Sequence, residues 1–211
     1  MQERSGVEAM GGPQVDPRIV EAARLRRLAV EHQAAGRFEQ AYNLLRQRTQ
    51  LTPRDALAWA DLGGCLFAAR KSEHALLAWD EALKLEPEHA DLLSGKAGVL
   101  HSLGRVEEAK ALYARAYALQ PESFGAAFGL AMLAVDAGDW EEAARLSGPL
   151  EAAHKNHPAL AWMIARIALG RGEFEQAHAR AAALVSDPRL SPEQRADALL
   201  LQNEAQARLK G

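Results

Sequence analysis

The chain has 211 residues, 48% of them hydrophobic and 25% charged, enough for one sizeable continuous core. A formal net charge of −3 argues against nucleic acid as a main partner, since a phosphate-binding surface needs an excess of Lys and Arg. The single cysteine, Cys65, excludes an internal disulfide framework and fits a reducing compartment. No apolar run is long enough to span a bilayer, and the first residues lack a signal peptide's apolar segment. The expectation is therefore a cytoplasmic protein that meets neither membrane nor nucleic acid.

Residues 1–15 are polar, carry Gly11-Gly12-Pro13 and show no periodicity; disorder is expected there. Asp16-Pro17 reads as a helix start, with Asp as N-cap and Pro in the first turn. Five amphipathic units then follow, at about 18–54, 55–88, 89–122, 123–157 and 158–191. The second and third are the best formed. The fourth carries Gly148-Pro149 inside its second helix, where a proline removes a backbone donor and crowds the preceding turn, so a kink or early break is expected near Leu146. Ser191-Pro192-Glu193 starts a last helix over 192–211, either a cap on the fifth unit or the beginning of an incomplete sixth.

The units repeat at a spacing of 34 residues. Ala41, Ala75, Ala109, Ala143 and Ala177 keep that period without a slip, as do Glu39, Glu73, Glu107, Glu141 and Glu175. Gly36, Gly104, Gly138 and Gly172 mark the turn between helices, with Arg70 the one departure. A period of this length with these residue types is the signature of a helical solenoid. In the second unit Trp59, Leu62, Gly63, Ala75, Trp79, Ala82 and Pro87 all match the pattern of the tetratricopeptide repeat (TPR) family, which the chain resembles over about residues 18–191. The expected fold is all-α, a right-handed α-solenoid of about five helix–turn–helix repeats plus a C-terminal helix.

The residue types have a physical reason. Small residues at Ala29, Gly63, Ala97, Ala131 and Ala165 on the first helices, and the periodic alanines on the second, let paired helices approach closely. Large residues such as Trp59, Trp79, Leu93, Leu100 and Tyr113 fill the gaps. One such pair cannot bury its apolar stripe alone, so neighbouring units must stack.

Nothing in the sequence points to catalysis. Gly95-Lys96-Ala97 resembles the end of a phosphate-binding loop, but it lacks the upstream glycine and the following Ser or Thr and lies inside a helix. His154 and His157 would need a third ligand to hold a metal, and none is near in sequence. Cys65 sits among packing positions, as an inert buried thiol would. The arginines Arg18, Arg24, Arg26, Arg27, Arg37, Arg46, Arg48 and Arg54 make the first unit basic, and the plain reading of that run is a solvated face. No cofactor or metal is implied.

What the TPR resemblance adds is a binding face: in that family one face of each first helix lines the concave side of the superhelix. Carried onto this chain it implies Arg26, Val30 and Gln33 in the first unit, Gly64 and Phe67 in the second, and Gly98 and His101 in the third. Phe128, Met132 and Val135 follow in the fourth unit, and Trp162 and Arg166 in the fifth. The Asn and Lys/Arg set with which some TPR proteins clamp a peptide's terminal carboxylate is missing. Gly64, Gly98 and Gly125 lie within helices, where glycine costs about 1 kcal/mol against alanine, so close approach of a ligand or tight helix packing is expected at them. The functional expectation is a non-enzymatic scaffold that takes a partner peptide or helix, or a second copy of the chain, in an apolar-centred groove. The stretch from Leu184 to Ala205 also looks like the last repeats of TPR-containing bacterial sulfotransferases, which implies the alternative of a recognition arm for a larger enzyme.

Overall fold

The computed structural model describes residues 16–210. Those residues form eleven helices and no strand: α1 (Pro17–Ala34), α2 (Phe38–Leu51), α3 (Ala56–Ala68), α4 (Ser72–Leu85), α5 (Ala90–Ser102), α6 (Val106–Leu119), α7 (Phe124–Ala137), α8 (Trp140–Ala153), α9 (Pro158–Gly170), α10 (Phe174–Val185) and α11 (Pro192–Lys210). The expected disorder of 1–15 lies outside the described residues.

Contacts divide the chain into two compact units, one through Leu85 and one from Glu86 onward. In the first, α1 pairs with α2 and α3 with α4, and α2 packs on α3. In the second, α5–α6, α7–α8 and α9–α10 are pairs stacked in chain order, and α11 lies against α10 and α9. Within each unit this is the architecture of an α-solenoid, built from hairpins that bury one stripe on the next.

Each hairpin turns through one residue in the left-handed backbone region. Gly36, Gly104, Gly138 and Gly172 have φ of 70°, 74°, 74° and 77°, and Arg70 takes the same conformation at φ 62°. The departure from glycine at position 70 therefore leaves the turn geometry unchanged and places a side chain in a conformation that favours glycine. Below the turns the five periodic alanines, Ala41, Ala75, Ala109, Ala143 and Ala177, are completely buried, as are Ala29, Ala97, Ala131 and Ala165 on the first helices. A Cβ at Gly63 would stand 2.8 Å from the Trp79 indole, so the second hairpin needs glycine where the others have alanine.

Side chains cap several helix starts, those of α1 and α11 among them. Asp16 accepts a hydrogen bond from the Arg18 amide at 2.8 Å. At α11 the Ser191 hydroxyl accepts from the Gln194 amide (3.3 Å) while the Gln194 side chain accepts from the Ser191 amide (3.0 Å), a reciprocal capping box. On α11, Ala198, Leu201 and Ala205 are buried while Leu199 and Leu200 stay exposed.

In the fourth hairpin the expected early break near Leu146 is absent. Helix α8 runs unbroken through Pro149 to Ala153. Gly148 before it has no Cβ to meet the proline ring, which removes one of the conflicts a helical proline makes.

The helical glycines separate by environment. A Cβ at Gly125 would stand 3.1 Å from the Ser94 Cβ, and one at Gly129 only 2.2 Å from the Tyr113 ring, whereas at Gly64 it would meet nothing within 4 Å. Gly129→Ala is therefore expected to destabilise by about 1–3 kcal/mol through overpacking. Gly64→Ala should stabilise by about 0.5–1 kcal/mol through helix propensity. Paired urea melts measure both; the same sign for the two would contradict the packing described.

Candidate partner-binding face

In the unit through Leu85, α1 and α3 present Arg26, Val30, Gln33, Gly64 and Phe67. Val30 is 55% and Phe67 38% exposed, and Leu57, in the first turn of α3, is 49% exposed. Arg26 is not free: its Nε donates to Asp61 of α3 at 2.8 Å. Gln33 reaches Cys65, which is buried and whose thiol is pushed up chiefly by that burial, against a smaller lowering from Gln33. An inert thiol is the result.

Beneath this face lies a cluster that sequence reasoning missed. Arg48 is only 7% exposed, and its guanidinium bonds Asp61, Asp55 at 2.7 Å and the Leu57 carbonyl at 3.2 Å. Asp55 in turn caps α3 by accepting from the Leu57 amide at 3.0 Å. The basic run of the first hairpin is thus not a single solvated face: Arg48 is an internal tie between α2 and α3. The available signal was phase, since Arg48 stands 34 residues before Ala82, a position that is small in the next two repeats.

In the unit from Glu86 onward, Gly98 lies 3.4 Å, measured from an added Cβ, from the Tyr113 hydroxyl, whose pKa burial pushes up to about 12. His101 of α5 meets Asp136 of α7 at 2.9 Å. Phe128 and Met132 are half-buried on α7. Phe128 stacks on Phe124 with ring centroids 5.2 Å apart, and Phe124 is flanked by His154 and His157 at 4.8 and 4.5 Å. The two histidines serve packing, and His157 also caps α9 by accepting from the Leu160 amide at 3.3 Å. Among the described residues no group of three or more His, Cys, Asp or Glu side chains is placed to hold a metal ion. Val135 departs from the expected face: at 3% exposure it lies in the core with Ala131, Leu146, Leu160 and Met163, because α7 turns it toward its neighbours. On α9, Trp162 is half-buried against three core clusters, with Arg166 over its ring at 5.9 Å.

A protein-family model, that of the cilia and flagella-associated protein 70 middle TPR-like domain, matches residues 25–201. The chain belongs to that TPR-like family. The match supports the TPR reading and gives no support to the sulfotransferase likeness. No curated protein matches the sequence.

Solved structures agree on the fold. PilF of Pseudomonas aeruginosa superposes with a TM-score of 0.69 at 19% identity, covering 92% of this chain and 90% of that one. TTC0263, a thermophilic TPR protein of Thermus thermophilus, gives 0.69 at 18% identity, covering 90% and 100%. The first TPR of Spaghetti (RPAP3), solved bound to the HSP90 peptide SRMEEVD, gives 0.51 at 20% identity over 55% of this chain and 94% of that one. At these identities the likeness concerns fold alone. Among the described residues no helix is long and apolar enough to cross a membrane.

Proposed function

We propose that the chain is a non-enzymatic scaffold that holds an extended or helical segment of a partner protein against the free face of its first helices. The observation that carries this reading is the set of large apolar side chains left in water on α1 and α3: Val30, Leu57 and Phe67, beside the bare backbone at Gly64. Isolated exposed apolar residues are ordinary, but several on the corresponding face of stacked helices mark an interaction surface. In the other unit, half-buried Met132 stands at the repeat position of Val30, and half-buried Phe128 and Trp162 stand at that of Arg26. A TPR fold holding a short segment has a precedent in RPAP3 with its HSP90 peptide. The alternative, a recognition arm of a bacterial sulfotransferase, has no structural observation in its favour. The stretch that suggested it forms the end of α10, a turn and a stacked helix.

The test is positional. A photo-crosslinking benzoylphenylalanine at Val30, Phe67 or Met132 should form adducts with one partner, and the same group at Leu77, exposed on the second helix α4, should not. Adducts from Leu77 alone would overturn the assignment of the face. An adduct of doubled chain mass from the first three would identify the partner as a second copy.

A further inference from the structure

One cavity of the second unit combines an apolar wall with an uncompensated charge. It has a volume of about 210 Å³ and is lined by Pro158, Ala159 and Trp162 of α9, Leu190 of the turn before α11, and Gln194 and Asp197 of α11. The first four make a surface of ring, methyl and methylene groups. On the α11 side the two polar residues differ. The Gln194 side chain is committed to the capping box through its oxygen. Asp197 has no hydrogen bond or ion pair among the described residues.

The cations nearby are engaged elsewhere. Arg189 grips Asp187, whose pKa it holds down at about 2, and Arg195 donates to the Asp187 carbonyl at 3.2 Å. Arg166 lies over the Trp162 ring and lines the adjoining cavity with Glu204. Asp197 is thus a carboxylate at an apolar recess with no cation of its own. The surrounding unit is also acidic, with 17 Asp and Glu against 13 Lys and Arg from Glu86 onward, a net of −4.

We propose that this cavity is a socket for one basic side chain, lysine or arginine, of the partner segment. The inference rests on the scaffold reading and gives its partner a chemistry. Both side chains carry an apolar stem with a charged head, so the stem can lie along Trp162, Pro158 and Leu190 while the head meets Asp197. An apolar side chain would fill the same recess but leave the carboxylate without a cation, and an acidic one would face it with like charge. Because Arg166 already lies over the indole, the ring serves as a wall and Asp197 supplies the attraction.

The probe is an acetylated and amidated alanine pentapeptide with arginine at its centre, compared with versions carrying norleucine or glutamate there. The readout is the Trp162 indole N–H resonance, assigned among the four tryptophans by its loss in Trp162→Phe. The arginine peptide should shift this resonance at the lowest concentration, norleucine at a higher one, and glutamate not at all. Asp197→Asn, an exposed change, should weaken the arginine peptide about three- to fivefold, to the level of norleucine, as expected for a partly exposed charge pair. Equal binding of arginine and norleucine by the native chain, or an arginine preference that survives Asp197→Asn, would overturn the socket. Crosslinks from Val30, Phe67 and Met132 that persist beside such a result would leave the scaffold standing. Their loss beside an Asp197-dependent arginine preference would do the reverse.

Discussion

Replacing Ala109 by arginine is expected to lower the stability of the chain by about 4 kcal/mol or more, through overpacking joined to a buried charge. Ala109 is completely buried on α6, which packs along α5, where Ala97 is completely buried too. Methyl-sized residues at both positions let the two helices lie close, and a guanidinium has neither the room nor a partner there. Its stem would part the helices, and its charge would have to reach water around the end of the hairpin. Ala111, two residues on and exposed, is the control: Ala111→Arg should stay within about 0.5 kcal/mol of the native chain. Denaturant titrations of the two variants measure the difference. Equal midpoints would mean that the 34-residue period does not report the helix contact.

That period made most of the fold legible. A buried alanine at a fixed phase is a statement about helix separation, so the series from Ala41 to Ala177 marks the close contact within each hairpin. The turn glycines did the same for the left-handed residue, and even Arg70, the exception in sequence, conforms in backbone. What failed did so where a second residue changed the meaning of the first. Pro149 reads as a helix breaker in isolation, yet α8 continues past it, with Gly148 before it lacking the Cβ that would crowd its ring. The helical glycines read alike, yet Gly125 and Gly129 answer to Ser94 and Tyr113 from other helices while Gly64 answers to nothing. The candidate face was legible as a repeat phase but not as a surface. Phe67 holds its phase partly in water, whereas Val135, two periods on, holds the same phase in the core, because exposure depends on how neighbouring helices roll against one another.

Seven arginines of the basic run are exposed as a solvated face would be, but Arg48 is not, and it yields a prediction against the consensus of the repeat. Arg48 occupies the phase of Ala82 and Ala116, both completely buried, so a repeat-based argument makes Arg48→Ala neutral or stabilising. The packing says the opposite. Removing the guanidinium leaves a void between α2 and α3. It also strips Asp55 and Asp61 of their shared cation, and only Arg26 remains to meet Asp61. Breaking a buried ion pair by deleting one partner typically costs about 3–5 kcal/mol. Because both carboxylates keep some exposure, the lower end, about 3 kcal/mol, is expected here. Arg48→Lys should recover only part of the loss, since an ammonium cannot span two carboxylates and the Leu57 carbonyl with one planar fork. High salt, which screens surface pairs such as Arg24–Glu21, should leave the Arg48→Ala deficit nearly unchanged, because the native guanidinium is almost fully withdrawn from water. Chemical denaturation at low and high salt decides the matter. An Arg48→Ala chain as stable as the native one would show that the repeat's preference for a small residue outweighs the buried network.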